Sequence, residues 1–418
     1  MPSVEGLGAR RAALQMLDAV LRRGLTLEAA AGMVRDLSPP DRALASAIAG
    51  ETLRWLPDLD ALIDSATRKR LPDDAKARMV LRLALAQKIG LGTPEHALVA
   101  TALPLVDGGP RKLVHGVLGT LLRKGVATDD APHLPYAVEY RWTQAWGEQV
   151  VASARRQIVA RPALDLTFAD DEAAKAFAEQ ESGVSLAPRH VRMENSTAIP
   201  ELSGFSQGQW WVQDLAASLP ARFVPADAAA VLDLCAAPGG KTMQLAAAGH
   251  DVTALDSSES RLARLRDNLA RTKLTAELVC SDALTWAPPR LYDAILLDAP
   301  CSATGTFRRH PEVLYRARPS IIAENARVQA QLLDHAAAML KPGGTLVYAV
   351  CSLEPAEGEQ VIQAFLASFH NFRLEPITEA PPGLQPSLEG WLRILPGMLE
   401  AEGGLDGFFV ARLVRNAY

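Results

Sequence analysis

The second half of the chain alternates short apolar runs with longer amphipathic stretches, and this alternation limits the possible folds more than any other feature. Runs of about four to eight apolar residues are typical of buried strands, and apolar residues three or four positions apart are typical of helices. The predicted strands are residues 231–234, 252–256, 276–280, 294–297 and 345–350, and the predicted helices are 242–248, 259–270, 321–340 and 357–369. Such an order predicts a doubly wound α/β sheet, completed by segments 372–376 and 407–413.

The first 125 residues show helical spacing throughout, as in Leu14, Leu17 and Leu21. Ser38 before Pro39 and Thr93 before Pro94 are predicted helix N-caps followed by proline at the first helical position. We therefore expect an all-helical bundle in residues 1–127 and the α/β domain in residues 205–418. Between them, residues 128–204 are predicted to form a linker and a small α+β subdomain. The elements predicted there are a helix pair within 140–159, strands at 163–168 and 190–193, and a helix at 171–181.

Composition narrows the class of protein. The chain has 418 residues, enough for two or three domains, and its 49% apolar and 22% charged residues are ordinary globular values. Its apolar stretches are short and interrupted by charges, and residues 1–11 lack a signal-peptide core, so we expect a cytoplasmic protein without a membrane span. Four cysteines without CxxC spacing predict neither a disulfide framework nor a zinc site.

The formal net charge of −5 is unevenly distributed. Residues 1–130 contain 18 Lys and Arg against 15 Asp and Glu, so the excess of negative charge lies in the remainder. The basic clusters are residues 68–70, 111–112, 123–124, 308–310 and 316–318. Such patches can hold phosphates whatever the total charge, but arginine pairs on helix surfaces are commonly just solvated. Charge alone leaves RNA binding open.

A glycine-containing loop, Cys235-Ala-Ala-Pro-Gly-Gly-Lys-Thr242, joins the first predicted strand of the α/β domain to a helix. It allows close approach of a ligand to the backbone, and the helix N-terminus favours a carboxylate. Cysteine stands where a phosphate loop needs its first glycine, and G-x-G-x-x-G is absent. Asp256, at the end of the second strand, suits ribose hydroxyls, and Asp282, after the third, suits an adenine amino group. Together these features predict a site for S-adenosylmethionine.

Two of the four cysteines, Cys301 and Cys351, lie shortly after predicted strands. Methyl transfer to carbon 5 of a pyrimidine would need such thiols, because that carbon is a poor nucleophile. A thiolate first adds to carbon 6, carbon 5 then takes the methyl group, and a base removes the carbon 5 proton so that the thiol is eliminated. One cysteine as nucleophile and a second group for release would cover both steps.

The motifs that carry these residues resemble the Sun/RsmB family of RNA (cytosine-5) methyltransferases. The matching segments are residues 208–214, 233–242, 298–302, 304–305, 308–311, 348–352 and 406–409. Ala303 and Val350 depart from the family's glycine and threonine. The helical front is similar to the NusB-like antitermination-factor domain, an RNA-binding bundle that is fused to this family, through residues 9–10, 41–44, 50–54, 81–84 and 94–97. His115 stands where that domain has asparagine.

The resemblance implies a Rossmann-like, S-adenosylmethionine-dependent enzyme that methylates carbon 5 of a cytosine in 16S ribosomal RNA. It makes Cys351 the nucleophile and Cys301 the group that assists release, with Asp298 between the methyl donor and the base. Cofactor contacts are predicted for Cys235, Ala236, Ala237, Pro238, Gly239, Gly240, Lys241, Asp256, Asp282 and Asp298, and RNA contacts for Arg308, Arg309 and His310. We expect a monomer without a metal. The alternatives are a methyltransferase that acts on tRNA or another RNA, and a non-catalytic RNA-binding ribosome assembly factor.

Overall fold

The computed structural model describes residues 5–194 and 199–417. The chain forms two compact units, one made of Met1–Ala160 with Phe307–Arg316, the other of Arg161–Thr306 with Ala317–Tyr418. The segment 128–204, predicted as one subdomain, is therefore shared between the units. Its helix pair lies in the first unit, and its strands lie in the second.

The first unit is helical, as predicted. Its helices are α1 (Leu7–Arg23), α2 (Leu27–Ala31), α3 (Pro39–Arg54), α4 (Leu56–Ser65), α5 (Lys76–Leu91), α6 (Glu95–Ala102), α7 (Gly108–Lys124), α8 (Tyr136–Trp146) and α9 (Glu148–Val159). Ser38 caps α3, because its hydroxyl accepts a hydrogen bond from the Asp41 amide at 3.3 Å. The expectation for Thr93 is wrong, since α6 begins at Glu95 with Pro94 in the cap position.

The middle of this bundle is α5, of which the residues from Ala77 to Gln87 are all buried. Two arginines lie within that stretch and are paired with carboxylates of α4. Arg78 is fully buried and donates to both carboxylate oxygens of Asp64, at 2.6 and 2.9 Å. Arg82 contacts Asp60 in the same two-pronged way, at 2.7 and 2.8 Å. Such forked pairs give the buried guanidinium groups charged partners and join α4 to α5.

A small antiparallel sheet opens the second unit. Its strands β1 (Leu164–Phe168), β2 (His190–Met193) and β3 (Trp210–Val212) lie in the order β2-β1-β3, and α10 (Asp171–Glu181) lies between β1 and β2 in sequence. The sequence predicted β1, β2 and α10, but not β3. Trp210 and Trp211 on β3 are buried, so they serve as core residues.

The main sheet has the strand order β10-β11-β8-β7-β4-β5-β6, and β9 pairs with β11. Its parallel strands are β4 (Ala230–Leu234), β5 (Asp251–Asp256), β6 (Glu277–Cys280), β7 (Tyr292–Asp298) and β8 (Leu340–Val350). The antiparallel strands are β9 (Phe372–Leu374), β10 (Leu392–Ile394) and β11 (Phe408–Arg415). The helices are α11 (Leu215–Arg222), α12 (Gly240–Ala247), α13 (Glu259–Thr272), α14 (Val313–Arg316, in the first unit), α15 (Pro319–Met339) and α16 (Glu359–Ser368). The predicted doubly wound fold is confirmed.

Two details of the sheet differ from the expectation. Strand β10 was not predicted, and residues 341–344, which lie between a predicted helix and a predicted strand, belong to β8. The pairing register between β7 and β8 shifts there, from Tyr292 opposite Leu340 to Ala294 opposite Thr345. The extra residues therefore bulge out of the ladder instead of ending the strand.

The strand order reverses between β4 and β7. From β4 the chain proceeds outward to β5 and β6 on one side, and then returns to β7 and β8 on the other. Ligands of doubly wound sheets bind beyond the carboxyl ends of the strands at such a reversal. The loop that follows β4 and the segments that follow β7 and β8 all begin at that edge.

Candidate active site

The two thiols predicted to be catalytic lie side by side. Cys301 follows β7 and Cys351 follows β8, and their sulfur atoms are 3.5 Å apart, close enough for an S–H···S hydrogen bond. Backbone bonds join the two segments, from the Ala299 amide to the Ala349 carbonyl at 2.9 Å and from the Gly305 amide to the Cys351 carbonyl at 3.0 Å. The parallel pairing of β7 with β8 therefore brings together two cysteines that are 50 residues apart in sequence.

The environment of the pair makes one thiol much less acidic than usual. The hydrogen bond to Cys351 raises the pKa of Cys301 well above its ordinary value, and burial, the Cys351 charge and the Glu357 charge act in the same direction. Burial and a neighbouring negative charge both disfavour the ionised form of a thiol. Cys301 is therefore held in its neutral form.

The loop after β4 has the backbone conformation that close approach of a ligand requires. Cys235 has a φ of 60° and Gly239 one of 106°, both in the left-handed region. A β-carbon on Gly239 would lie 2.0 Å from Cδ1 of Leu265, so only glycine fits between the loop and α13. Burial raises the pKa of Cys235 to about 12, which keeps this thiol neutral.

Lys241, in the first turn of α12, forms an ion pair with Asp298 at the end of β7, with 2.7 Å between Nζ and Oδ2. Burial lowers the pKa of Lys241, but the charge of Asp298 and the hydrogen bond to it outweigh burial, so this pKa lies above its ordinary value. The same ammonium lies 5.3 Å from the centre of the Phe408 ring. Asp298 is thereby held at the strand-order reversal, and the sequence had not predicted this pairing.

The two strand-end aspartates differ in their surroundings. Asp256 is buried and accepts from the Ala237 amide at 3.2 Å and the Ser258 amide at 2.9 Å, and it pairs with Arg261 at 2.8 Å. It therefore ties the glycine loop to the start of α13. Asp282 is exposed after β6, and one of its oxygens accepts from the Leu284 amide at 2.9 Å. Their predicted contacts with ribose and adenine stay predictions.

A further carboxylate is buried beneath the loop. Asp233 on β4 is fully buried and accepts a hydrogen bond from the Thr242 hydroxyl at 2.6 Å, while its Oδ1 atom has no partner among the residues that the structure describes. Burial raises the pKa of Asp233 to about 7. The sequence motif included this residue without indicating its burial.

The structure also shows a buried carboxylate that the sequence did not single out. Glu357 lies in a short 3₁₀ turn after β8 and is fully buried. It accepts hydrogen bonds from Ser302, the residue after Cys301, and from Ser352, the residue after Cys351. Glu354, Glu357 and Glu359 occupy one short stretch, and nothing local in the sequence distinguishes Glu357 from the other two.

The three residues predicted to contact RNA lie in the segment Phe307–Arg316, which belongs to the helical unit. Arg308 is buried, Arg309 is half-buried and His310 is exposed. In the same segment, Tyr315 donates to the Leu53 carbonyl at 2.7 Å and Glu312 accepts from the Leu27 amide at 3.0 Å. Of the three predicted RNA contacts, only His310 and the exposed part of the Arg309 side chain therefore face solvent.

Two further features bear on the class of protein. Residues 5–194 and 199–417 contain no group of three or more His, Cys, Asp or Glu side chains that could hold a metal ion. None of the helices in this part of the chain combines the length and the hydropathy that crossing a membrane requires.

The sheet order, the glycine loop at its reversal and the strand-end thiols define a Rossmann-like methyltransferase. Residues 221–414 match the family described as 16S rRNA methyltransferase RsmB/F, and residues 7–123 match the NusB family. The ribosomal RNA small subunit methyltransferase B of Vibrio vulnificus (strain YJ016) is 33% identical over 440 residues, which cover 98% of this chain and 100% of the relative. The chain therefore belongs to the RsmB/F methyltransferase family and carries a NusB-family domain.

Solved structures have the same fold. The crystal structure of PH0851 superposes with a TM-score of 0.74 at 22% identity, and the match covers 98% of this chain and 99% of that one. NSun6 from Pyrococcus horikoshii, in a structure with SFG, gives a TM-score of 0.59 at 19% identity and covers 68% of this chain and 99% of that one. The expectation of an S-adenosylmethionine-dependent ribosomal RNA methyltransferase is confirmed at the level of the family.

Proposed function

We propose that this protein transfers a methyl group from S-adenosylmethionine to carbon 5 of a cytosine in 16S ribosomal RNA, through a covalent bond between Cys351 and carbon 6, and that it does so in the cytoplasm. The observation that carries the proposal is the 3.5 Å contact between Cys301 and Cys351. A single buried cysteine has a packing role more often than a chemical one. Two thiols in contact beside a charged Lys241–Asp298 pair are instead suited to a reaction in two steps.

The first step makes carbon 5 nucleophilic. The Cys351 sulfur adds to carbon 6, and the electron pair of the C5–C6 double bond becomes available at carbon 5. Asp298, held by Lys241 at 2.7 Å, is the group assigned to the polar edge of the base, where its carboxylate accepts a hydrogen bond from the exocyclic amino group and orients the ring for addition. S-adenosylmethionine supplies an electrophilic methyl group when bound.

The second step releases the product. A base takes the proton from carbon 5, the double bond re-forms, and the bond between carbon 6 and Cys351 breaks. Cys301 is assigned to this step because its main pKa-raising contact is with Cys351 itself. Once the Cys351 sulfur is bonded to carbon, that contact no longer disfavours ionisation of Cys301. Cys301 then gives its own proton to solvent, and the thiolate so formed accepts the carbon 5 proton as Cys351 leaves.

The loop after β4 fits a cofactor that carries a carboxylate. Its left-handed residues expose backbone amides at the start of α12, and the helix N-terminus favours a negative charge. We assign cofactor contacts to residues 235–241, Asp282 and Asp298. Asp256 can contact the cofactor only if the half-exposed Arg261 moves away, because the ion pair with Arg261 occupies the Asp256 carboxylate.

The assignment of the two thiols is tested by trapping the covalent complex. The protein is incubated with S-adenosylmethionine and a labelled 16S ribosomal RNA fragment and separated on a denaturing gel. We expect Cys301→Ala to accumulate an RNA–protein adduct and Cys351→Ala to form none. The reverse pattern would exchange the two roles, and no adduct with either variant would remove the covalent mechanism. Bisulfite sequencing of 16S ribosomal RNA and of tRNA from a strain without the gene distinguishes the substrates.

A further inference from the structure

The two thiol-bearing segments are connected by one buried carboxylate. Oε1 of Glu357 accepts from the Ser302 amide at 2.8 Å, and Oε2 accepts from the Ser352 hydroxyl at 2.5 Å and from the Ser302 hydroxyl. Each serine is the residue directly after a cysteine. The Glu357 side chain is thus bonded to both segments, one residue away from each sulfur.

Other bonds fix the carboxylate itself. Gln329 on α15 donates to Oε1 at 3.4 Å and also to the carbonyl of Pro300 at 2.8 Å, the residue before Cys301. The Tyr348 hydroxyl on β8 donates to the Glu357 carbonyl at 2.6 Å. Glu357 is fully buried, as is Gln329, so this network is shielded from water. Buried charge-assisted hydrogen bonds of this kind are short and directional.

Burial of a charge is costly unless hydrogen-bond donors compensate it. The buried Glu357 carboxylate therefore depends on its donors, Ser302, Ser352 and Gln329. The backbone bonds between the two segments, from Ala299 to Ala349 and from Gly305 to Cys351, fix the main chain. Side-chain contacts also join the two turns, between the hydroxyls of Ser302 and Ser352 at 3.2 Å and of Thr304 and Ser352 at 3.3 Å. Ala303, two residues beyond Cys301, has a φ of 56°, so this turn departs from regular geometry. The contacts of Ser302 and Ser352 with Glu357 add a charged acceptor that is bonded to both turns.

We propose that Glu357 is a positioning residue, which holds Cys301 and Cys351 in contact by binding the serine that follows each of them. The proposal rests on the roles proposed above for the two thiols, but the contact itself exists without RNA or methyl donor. We call the hydrogen bonds from Ser302 and Ser352 to Glu357 the clamp. Loss of the clamp moves the two sulfur atoms apart. It should therefore slow both addition and release, and it should leave the binding of RNA and cofactor unchanged.

The contact is tested directly with phenylarsine oxide, which forms a stable ring only with two thiols held side by side. Capture of Cys301 with Cys351 is followed by peptide mass spectrometry on the full chain. We expect fast capture in the unsubstituted protein and slower capture in Glu357→Gln, which keeps the shape of the side chain but removes its charge. The control is Glu324→Gln, because Glu324 is exposed on α15 and pairs with Arg327 at 2.7 Å, away from both serines. Equal capture rates in all three proteins would overturn the proposal.

The values of kcat and KM distinguish a positioning role from a general loss of stability. In Glu357→Gln we expect kcat to fall roughly ten- to a hundredfold, as for a small misplacement of reacting groups, with KM for RNA unchanged. A variant that had merely lost folded protein would instead show a lower active fraction, with normal kcat per active site in single-turnover assays. That outcome would also contradict a positioning role.

A second variant keeps the test decisive if Glu357→Gln does not fold. Ser352→Ala removes one donor to Glu357 and leaves the carboxylate in place. It should slow arsenical capture in the same direction, and by less. Unchanged capture in Ser352→Ala would show that the clamp does not set the position of Cys351. The two proposals can fail separately. If arsenical capture changes as expected but the Cys301 and Cys351 variants do not give the expected adduct pattern, the proposed chemistry is wrong and the role of Glu357 in positioning the thiols stands.

Discussion

At the scale of single residues, the site combines buried groups whose charge states depend on their neighbours. Cys235 is kept neutral by burial, with a pKa of about 12, and Cys301 is kept protonated mainly by Cys351. Lys241 keeps its charge because Asp298 lies 2.7 Å away. Of the two paired thiols, Cys301 is the one whose ionisation the surroundings disfavour. The surroundings thus differentiate two cysteines that follow equivalent strand ends.

Asp233 leads to a prediction about pH. Its pKa is about 7 in the folded protein and near 3.8 when unfolded, so the folded state holds a proton that the unfolded state releases. The stability contributed by this group is therefore greatest at low pH and is lost as pH rises from about 4 to 7, by roughly 4 kcal/mol. Asp233→Asn cannot lose that proton. We expect it to raise the thermal midpoint of the second unit more at pH 8 than at pH 5, as measured by scanning calorimetry. A shift that is equal at both pH values would contradict the assignment.

At the scale of elements, the loop after β4 depends on two features of Gly239 that can be separated. One is its φ of 106°, and the other is the space that Leu265 of α13 occupies beside it. Gly249, after α12, has a similar φ of 93°, and a β-carbon added there would meet no atom of the described residues within 4 Å. The two glycines thus both have a left-handed φ, and they differ in the packing around them.

Gly239→Ala should weaken the binding of S-adenosylmethionine and lower stability by about 1–3 kcal/mol, because an L-residue is strained at this φ and its β-carbon clashes. Gly249→Ala should introduce the backbone strain without a clash of the β-carbon, and it should leave cofactor affinity unchanged. Calorimetric titration and thermal unfolding of both variants provide the measurement. If the two variants lose the same affinity, the contact with Leu265 has no part in shaping the loop.

At the scale of the whole molecule, the chain passes between its two units three times, at Ala160, at Thr306 and at Arg316. The middle passage sends Phe307–Arg316 into the helical unit, where Tyr315 is bonded to Leu53 and Arg316 donates to the Gly24 carbonyl at 2.8 Å. Deletion of residues 1–125 would remove these partners. The role of the helical unit in RNA binding is therefore better tested by charge substitutions than by truncation.

Arg111 and Lys112 are exposed at the start of α7 and form one of the basic clusters of the helical unit. If they contact RNA phosphates, their joint replacement by alanine should weaken binding at low salt and reduce the slope of log affinity against log salt by about two. The matched control replaces Lys175 and Arg327, which are exposed and paired with acidic neighbours in the second unit. Filter binding over a salt series measures both. An unchanged slope would indicate that this face of the bundle does not contact RNA.

The sequence by itself determined the five parallel strands of the main sheet, the helical character of the first unit, the glycine loop after β4 and the place of both cysteines at strand ends. These features follow from periodicity and short motifs, which depend on neighbouring residues. It could not determine that Glu357, and not Glu354 or Glu359, binds Ser302 and Ser352, nor that Lys241 pairs with Asp298. It also could not assign Phe307–Arg316 to the helical unit. Such contacts join residues far apart in the chain, and only the pairing of β7 with β8 and the packing of the helices decide which side chains meet.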